Sequence, residues 1–329
     1  MKILVTGGAG YIGSTTCSAL LDSGHTPIIL DSLITGRKEY IQNRIFYEGD
    51  IADCDLITKI CKEHPDIECC MHFAARIIVP ESVSEPLLYY NENIVKSISL
   101  LDTLQKFGID RIIYSSSASV YKETDSFIVN EESPIAPISP YARTKYCLEM
   151  ALEDFCNANI CRGISFRYFN PIGADKQMRT GPSSPDPSNI LGKLIKTAEG
   201  KDPFFAIMGT DWPTRDGTAI RDYIHVWDLA RAHVLAAEKF DEIICTSQKY
   251  HTINLGTGKG VTVKEFVDAF IKVYGREINV KNTQRRPGDV VGACASCDKA
   301  SNLLGWKADL SVEEGIADAL EWQKKTFYS

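Results

Sequence analysis

Short, mostly apolar runs recur through the first half of the chain: KILVTG at 2–7, TPIILD at 26–31, RIFYEGD at 44–50, CCMHFAA at 69–75, RIIYSSS at 111–117 and GISFRYFN at 163–170. Between them, apolar positions fall at helical spacing over 12–23, 53–63, 86–107 and 141–158. A strand that is apolar on both sides has no face for water. Such strands separated by helices predict an α/β fold, a doubly wound parallel sheet of Rossmann type covered on both faces. After Asn170 the texture changes. PIGADKQMRTGPSSPDPS at 171–188 is rich in Pro, Gly and Ser and reads as loop. Helical spacing returns at 189–199, 227–239, 262–274 and 311–325, with one strand at 251–256. This predicts a smaller mixed α/β C-terminal lobe whose chain returns once to the first. The first domain then spans 1–170, completed by roughly 224–258, and the second spans 171–223 and 259–329.

Composition narrows the partners. The chain has 329 residues, 44% hydrophobic and 24% charged, with a net charge of −7. That is ordinary globular composition, and the negative balance argues against nucleic acid as a partner. It leaves room for a small anionic ligand held by local arginines. The eleven cysteines follow no framework spacing. The Cys294–Cys297 pair lacks the second pair or histidine that a metal site needs, so no metal is expected and the thiols read as reduced. The N-terminus runs directly into a strand, and no apolar run is long enough to span a membrane; a cytoplasmic protein is expected.

The chemistry sits at the ends of the runs. The first strand enters T-G-G-A-G-Y-I-G, with glycines at 7, 10 and 13, and then a helix. Gly7 permits the tight turn, Gly10 lets backbone N–H groups reach a pyrophosphate, and Gly13 lets helix and strand pack closely. Asp31 closes the second strand, where a carboxylate accepts hydrogen bonds from the adenosine ribose and repels a 2′-phosphate. NAD is therefore the expected cofactor, although Arg37 and Lys38 follow closely. Ligands of such sheets lie beyond the carboxyl ends of the strands, where Asp50-Ile51, Phe73-Ala74-Ala75 and Ser115-Ser116-Ser117 fall. Next comes SPYARTKYCLE at 139–149. Tyr141 and Lys145 share a helix face at i and i+4. Taken alone they are also what a wet helix face looks like. Beside a nucleotide they predict a general base, its phenol made more acidic by the neighbouring ammonium.

These motifs resemble the extended short-chain dehydrogenase/reductase superfamily. With RYFNPIGA (167–174), DGTAIRDYIHVWDLA (216–230) and RRPGD (285–289), the chain resembles its UDP-glucose 4-epimerase family from Met1 to about Trp322. The resemblance implies C4 inversion of a UDP-sugar through a 4-keto intermediate with tightly bound NAD, in a homodimer. It makes Tyr141 the base, Lys145 its electrostatic partner and a ribose ligand, and Ser117 the hydroxyl on the 4-oxygen. It places Gly7, Gly10, Tyr11, Ile12, Gly13, Asp31, Ser32, Leu33, Thr35, Gly36, Asp50, Ile51, Phe73, Ala74, Ala75, Ser115, Tyr141, Lys145 and Phe169 on the cofactor. It places Ser117, Tyr141, Asn170, Asn189, Ile190, Ala206, Ile207, Met208, Arg221, Arg286, Asp289 and Ala293 on the UDP-sugar. The two arginines are its diphosphate ligands, the geometry for which guanidinium is suited.

The chain departs from the family pattern at Ile77, Glu92, Lys122, Met208 and Ala293. A large side chain at the last position bounds the sugar pocket in the family, so alanine implies room for an N-acetyl group, with UDP-GlcNAc and UDP-GalNAc as further substrates. Rival readings are a dehydratase or decarboxylase, a 4-epimerase of another UDP-sugar such as the glucuronate or a pentose, and a silent NAD-binding sensor. Ala118 and Ser119 stand where dehydratases carry Asp-Glu and decarboxylases Glu. The retained Ser117, Tyr141 and Lys145 weigh against a sensor.

Overall fold

The computed structural model describes residues 1–184, 187–285 and 290–327. Seven strands, β1 (Lys2–Thr6), β2 (Thr26–Asp31), β3 (Ile45–Glu48), β4 (Ile67–His72), β5 (Arg111–Ser117), β6 (Arg162–Tyr168) and β7 (Tyr250–Leu255), form one sheet in the order β3-β2-β1-β4-β5-β6-β7. Every pairing in it is parallel. Register carries side chains into two cores. Ile29, Val5, Met71, Ile113 and Ile164 are neighbours in one row and lie in the core on one face. Ile28, Leu4, Cys70 and Ile112 form the adjacent row in the core on the other. A one-residue slip would exchange the faces, and each buried aliphatic contributes roughly 1.5–3 kcal/mol, so the register is strongly specified.

The first face is covered by helices Tyr11–Asp22 and Val226–Glu238, through residues such as Leu20, Leu229 and Val234. The second is covered by Cys54–Glu63, Lys96–Lys106 and Pro140–Asn157, through Ile57, Leu100, Leu104, Leu148 and Leu152. The single helix expected over 86–107 differs in detail. It is Pro86–Tyr90 and Lys96–Lys106 joined by a π turn at Asn91–Val95. Its physical reason lies in Asn93, whose buried amide is drawn to the end of β4.

A second body has its own core of Ile172, Leu191, Leu194, Ile207, Tyr223, Phe266, Phe270 and Ile316. The expected helices are present as Ile190–Ala198, Val263–Tyr274 and Val312–Phe327. Strands not expected there also occur. Ile220–His225 pairs with Asn170–Ile172 and Gly260–Thr262, and Phe205–Met208 pairs with Val280–Thr283. The chain returns to the first body twice rather than once. Beyond β7, the helix Asp298–Leu304 and Trp306 also enter the sheet core. The extra return follows from Trp306, which is 1% exposed and donates its indole N–H to the Asp228 carbonyl at 3.0 Å.

Candidate active site

At the end of β1 the chain turns at Gly7 (φ +70°), where a Cβ would lie 2.7 Å from the Ala74 nitrogen. A Cβ on Gly13 would lie 2.3 Å from the Gly7 carbonyl oxygen, so both approaches require glycine. Helix Tyr11–Asp22 starts after Gly10 with no side chain capping its first turn. Its leading N–H groups, on Tyr11, Ile12 and Gly13, are the donors a helix N-terminus offers to an anion. An uncapped helix start held against two strand ends is the cradle a pyrophosphate takes, and these residues fit NAD. The Tyr11 side chain turns elsewhere, its hydroxyl donating to the Gly173 carbonyl at 2.6 Å.

Asp31 accepts from the Ala9 N–H (2.9 Å) on one oxygen and the Leu33 N–H (2.8 Å) on the other. Burial raises its carboxyl pKa and those two bonds lower it, with a net rise. Each oxygen keeps a lone pair for a ribose hydroxyl. Gly36 packs against it, since a Cβ there would meet Asp31 Oδ1 at 2.6 Å. Leu33 takes a left-handed turn (φ +57°), with Ser32 and Thr35 exposed on the same loop. Arg37 donates to the Ser183 carbonyl at 2.5 Å. Of the two cations that raised the question of a 2′-phosphate, Arg37 is thus engaged by the protein.

Asp50, beyond β3, is paired with Lys96 at 2.5 Å, and Lys96 with Glu92 at 2.7 Å. The departure at Glu92 therefore completes an ion triad. Burial works to raise the Asp50 carboxyl, but the Lys96 bond holds it below its ordinary value. Ile51 points its side chain into the core, leaving only its backbone for a ligand. Phe73 donates its N–H to the Thr6 carbonyl (3.0 Å), and Ala74 and Ala75 follow at the end of β4. Sequence reasoning missed Asn93. Its amide accepts from the Arg76 N–H (2.8 Å) and donates to the Arg76 carbonyl and the Thr144 hydroxyl (both 3.0 Å), pinning the strand-end turn to the Tyr141 helix. An amide side chain on the apolar side of a helical stretch was the available signal.

The sequence S-P-Y builds the start of helix Pro140–Asn157. Ser139 accepts from the Ala142 N–H at 3.2 Å, and Pro140 occupies the first turn. The helix lays Tyr141 and Lys145 against the three serines that end β5. The Ser117 hydroxyl lies close enough to the Tyr141 phenol to favour its ionised form, and it accepts from the Ser119 hydroxyl at 2.9 Å. Lys145 donates to the Ser115 carbonyl at 2.7 Å, and the Ser115 hydroxyl is bonded by Tyr168.

The expected acidification of Tyr141 by Lys145 is corrected. Lys145 Nζ stands 5.9 Å from the centre of the Tyr141 ring. Burial raises the phenol pKa, opposed by the Ser117 hydroxyl. Burial likewise pulls the Lys145 ammonium down to about 7, opposed by Glu149. Desolvation disfavours both charged forms and is the largest influence on each.

The remaining predicted residues surround this point unevenly. Phe169 and Ala293 pack in one cluster against Val120, Tyr121 and Val129. Asn170 is exposed and opens a short strand rather than a turn. Asn189 caps helix Ile190–Ala198, accepting from the Gly192 N–H at 2.8 Å, and Ile190 is partly buried behind it. Along Phe205–Met208, Ala206 and Met208 are partly exposed, whereas Ile207 enters the core. Alternation leaves Ile207 only its backbone for a ligand.

Arg221 donates to the carbonyls of Ile220 (2.7 Å), Val291 (2.9 Å) and Val290 (3.2 Å). Gly292 (φ +112°) admits it, since a Cβ there would fall 2.2 Å from Arg221 Nη1. Its chain neighbour Asp222 is fully buried and accepts from Thr257, Gly258 and Ala295. Arg286 and Asp289 lie outside the described residues.

The profile of the NAD dependent epimerase/dehydratase family matches residues 3–256. A UDP-glucose 4-epimerase of Bacillus subtilis (strain 168) is 40% identical over 98% of this chain and 97% of its own. The crystal structure of UDP-glucose-4-epimerase from Stenotrophomonas maltophila, with bound NAD and formylated UDP-arabinopyranose, superposes with a TM-score of 0.94 at 36% identity, covering 99% of this chain and 98% of that one. The UDP-Glc/GlcNAc 4-epimerase of Campylobacter jejuni superposes at 0.84 and 35% identity, covering 98% and 99%.

Proposed function

The chain belongs to the NAD dependent epimerase/dehydratase family, and we propose that it interconverts UDP-glucose and UDP-galactose by inverting C4 through a 4-keto sugar. One observation carries this reading above its neighbours in the family. The hydroxyl, phenol and ammonium of Ser117, Tyr141 and Lys145 meet at the end of β5, and the adjoining positions, Ala118 and Ser119, offer no carboxylate. Glu149, the acid on the same helix face, is sealed by Arg167 at 2.6 Å and by Ser116. Removing water from C5 and C6 needs a free acid and base; inverting C4 needs only one proton acceptor on the 4-hydroxyl.

In this reading Gly7, Gly10, Gly13, Tyr11, Ile12 and Asp31 hold NAD. Bound NAD supplies a two-electron acceptor that returns what it takes, so the sugar undergoes no net oxidation. Tyr141 receives the 4-hydroxyl proton and gives it back to the 4-oxygen once the keto sugar has turned. Ser117 holds the 4-oxygen and hands the proton across. Lys145 stabilises the phenolate. Arg221 and Arg286 anchor the diphosphate, with Asn189, Ile190, Ala206 and Met208 along the nucleotide and Asn170, Asp289 and Ala293 toward the sugar. The anchor is necessary because the keto sugar turns without leaving.

The test is UDP-galactose carrying deuterium at C4. Product UDP-glucose is expected to keep the label on C4, and its loss to solvent would reject a returned hydride. With UDP-GalNAc in the same assay, turnover is expected as well. The small Ala293 methyl favours an N-acetyl substrate, and the Campylobacter relative is named a UDP-Glc/GlcNAc 4-epimerase.

A homodimer is part of the proposal. Leu87 is 86%, Val83 65%, Ile77 64% and Val95 59% exposed, on or beside the helices flanking the Tyr141 helix. Exposed apolar side chains of this size on one set of helices mark an association surface, and a second copy of the same helices covers them. Leu87→Asp is expected to halve the mass measured by light scattering; an unchanged mass would remove that face from the interface. All eleven cysteines are unpaired, which supports a cytoplasmic setting, and no helix among the described residues is long and apolar enough to cross a membrane.

A further inference from the structure

We propose that Glu149 is a positioning residue for the reaction, one that fixes Lys145 in place and sustains its charge from within a sealed pair with Arg167. The proposal rests on the epimerase reading and deepens it. Tyr141, Lys145 and Glu149 are spaced four residues apart on one helix face, and each meets one of the three serines ending β5. Tyr141 meets the Ser117 hydroxyl, Lys145 the Ser115 carbonyl, and Glu149 the Ser116 hydroxyl. Rotation of the helix would break all three contacts together.

Arg167 of β6 completes the lock. Its Nε donates to both Glu149 oxygens (3.0 and 3.1 Å) and its Nη2 to Oε2 (2.6 Å). The guanidinium is itself fixed over the Tyr121 ring at 4.9 Å. Side-chain exposure is 5% for Arg167 and 2% for Glu149. A buried pair of this kind adds little net stability over apolar residues of similar volume, whereas removing one partner leaves the other charge uncompensated.

The groups facing Lys145 show what the carboxylate adds. From β5 they are the Ser115 carbonyl and the Tyr114 ring, 5.1 Å from Nζ. From β4 the facing group is His72, held between the Thr6 and Ser97 hydroxyls and kept neutral by burial and by Lys145 itself, its pKa pulled down to about 3. From its own helix they are Tyr141 and Glu149. Of these, Glu149 alone is negative. It is the influence that opposes burial and keeps part of the Lys145 population protonated near neutrality.

The experiment follows the Lys145 ε-carbon by NMR on ¹³C-lysine protein, with Lys145→Arg for assignment, alongside turnover of UDP-galactose against pH. Glu149→Gln is expected to lower the Lys145 midpoint by about one pH unit or more, a tenfold loss of proton affinity. The alkaline limb of kcat should move down with it, while KM stays within about twofold. Glu149→Asp, which keeps the charge, should restore the midpoint. Should Glu149→Gln leave Arg167 buried without a counter-charge and fail to fold, Glu149→Gln with Arg167→Gln removes both charges and should lower the midpoint in the same direction by a smaller amount. An unchanged midpoint in either folded variant overturns the proposal. The titration needs no turnover, so a wild-type protein inactive on every UDP-hexose would sink the epimerase reading while the role of Glu149 was still decided.

Discussion

Replacing Tyr141 with phenylalanine is expected to lower turnover of UDP-galactose by about 10²–10⁴-fold, the range for loss of a positioned proton acceptor. Bound NAD and the affinity for UDP are expected to stay near wild type. The ring remains, so packing against Lys145 and the end of β5 is kept. Only the hydroxyl that Ser117 contacts is removed, and Ser117 retains its bond from Ser119. Turnover would be read in a coupled assay, and NAD by absorbance after denaturing the purified protein. Loss of NAD in proportion to activity would reassign Tyr141 to binding or folding. The pH profile carries a second expectation. Burial holds the phenol above its ordinary value in the protein alone, so the acid limb of wild-type turnover reports how far a bound, positively charged nicotinamide reverses that rise.

The sheet was legible because its strands are buried on both sides. A run such as TPIILD offers no polar alternation, and a continuous apolar run between helices has few other solutions. The second lobe was less legible for the same reason inverted. Ile220–His225 reads IRDYIH, with two adjacent charges in an otherwise bulky run, and Asp222 is buried in a hydrogen-bonded nest of Thr257, Gly258 and Ala295. A buried charge disguises a strand whenever its partners lie far away in sequence. Phe205–Met208 is only four residues long, and its partner strand comes some seventy residues later.

The site divides along the same line. Glycine spacing, the strand-end aspartate, the serines and the Tyr-x-x-x-Lys pair were visible because local geometry demands those residue types. Glu149 and Arg167 were invisible. Each reads singly as a surface charge, and only the β5–β6 register brings them together behind Ser116. Charge state was the other blind spot. The i, i+4 spacing gave the neighbourhood of Tyr141 and Lys145 correctly, but the sign of the Tyr141 shift depends on desolvation, which spacing does not encode.

That burial makes Lys145 costly to the fold, and Lys145→Met should reveal it. The amine is 2% exposed, and burial pulls its pKa from 10.5 to about 7. The folded chain therefore binds fewer protons there than the unfolded chain between about pH 7 and 10.5, so stability rises with pH across that window. Below the folded pKa the penalty is complete, on the order of 4–5 kcal/mol at about 1.4 kcal/mol per pH unit. Methionine removes it but gives up the bond to the Ser115 carbonyl, worth roughly 1–2 kcal/mol. In protein stripped of NAD, Lys145→Met is expected to stabilise by about 2–4 kcal/mol at pH 7, with the gain falling through zero to a loss of about 1–2 kcal/mol as pH approaches 10.5. Turnover should fall by at least about 10²-fold, since the phenolate loses its cation. Chemical denaturation at pH 7 and pH 10 checks this directly. Equal stability changes at the two pH values would mean that the ammonium is not desolvated in the fold, and that the site holds its charge at no cost.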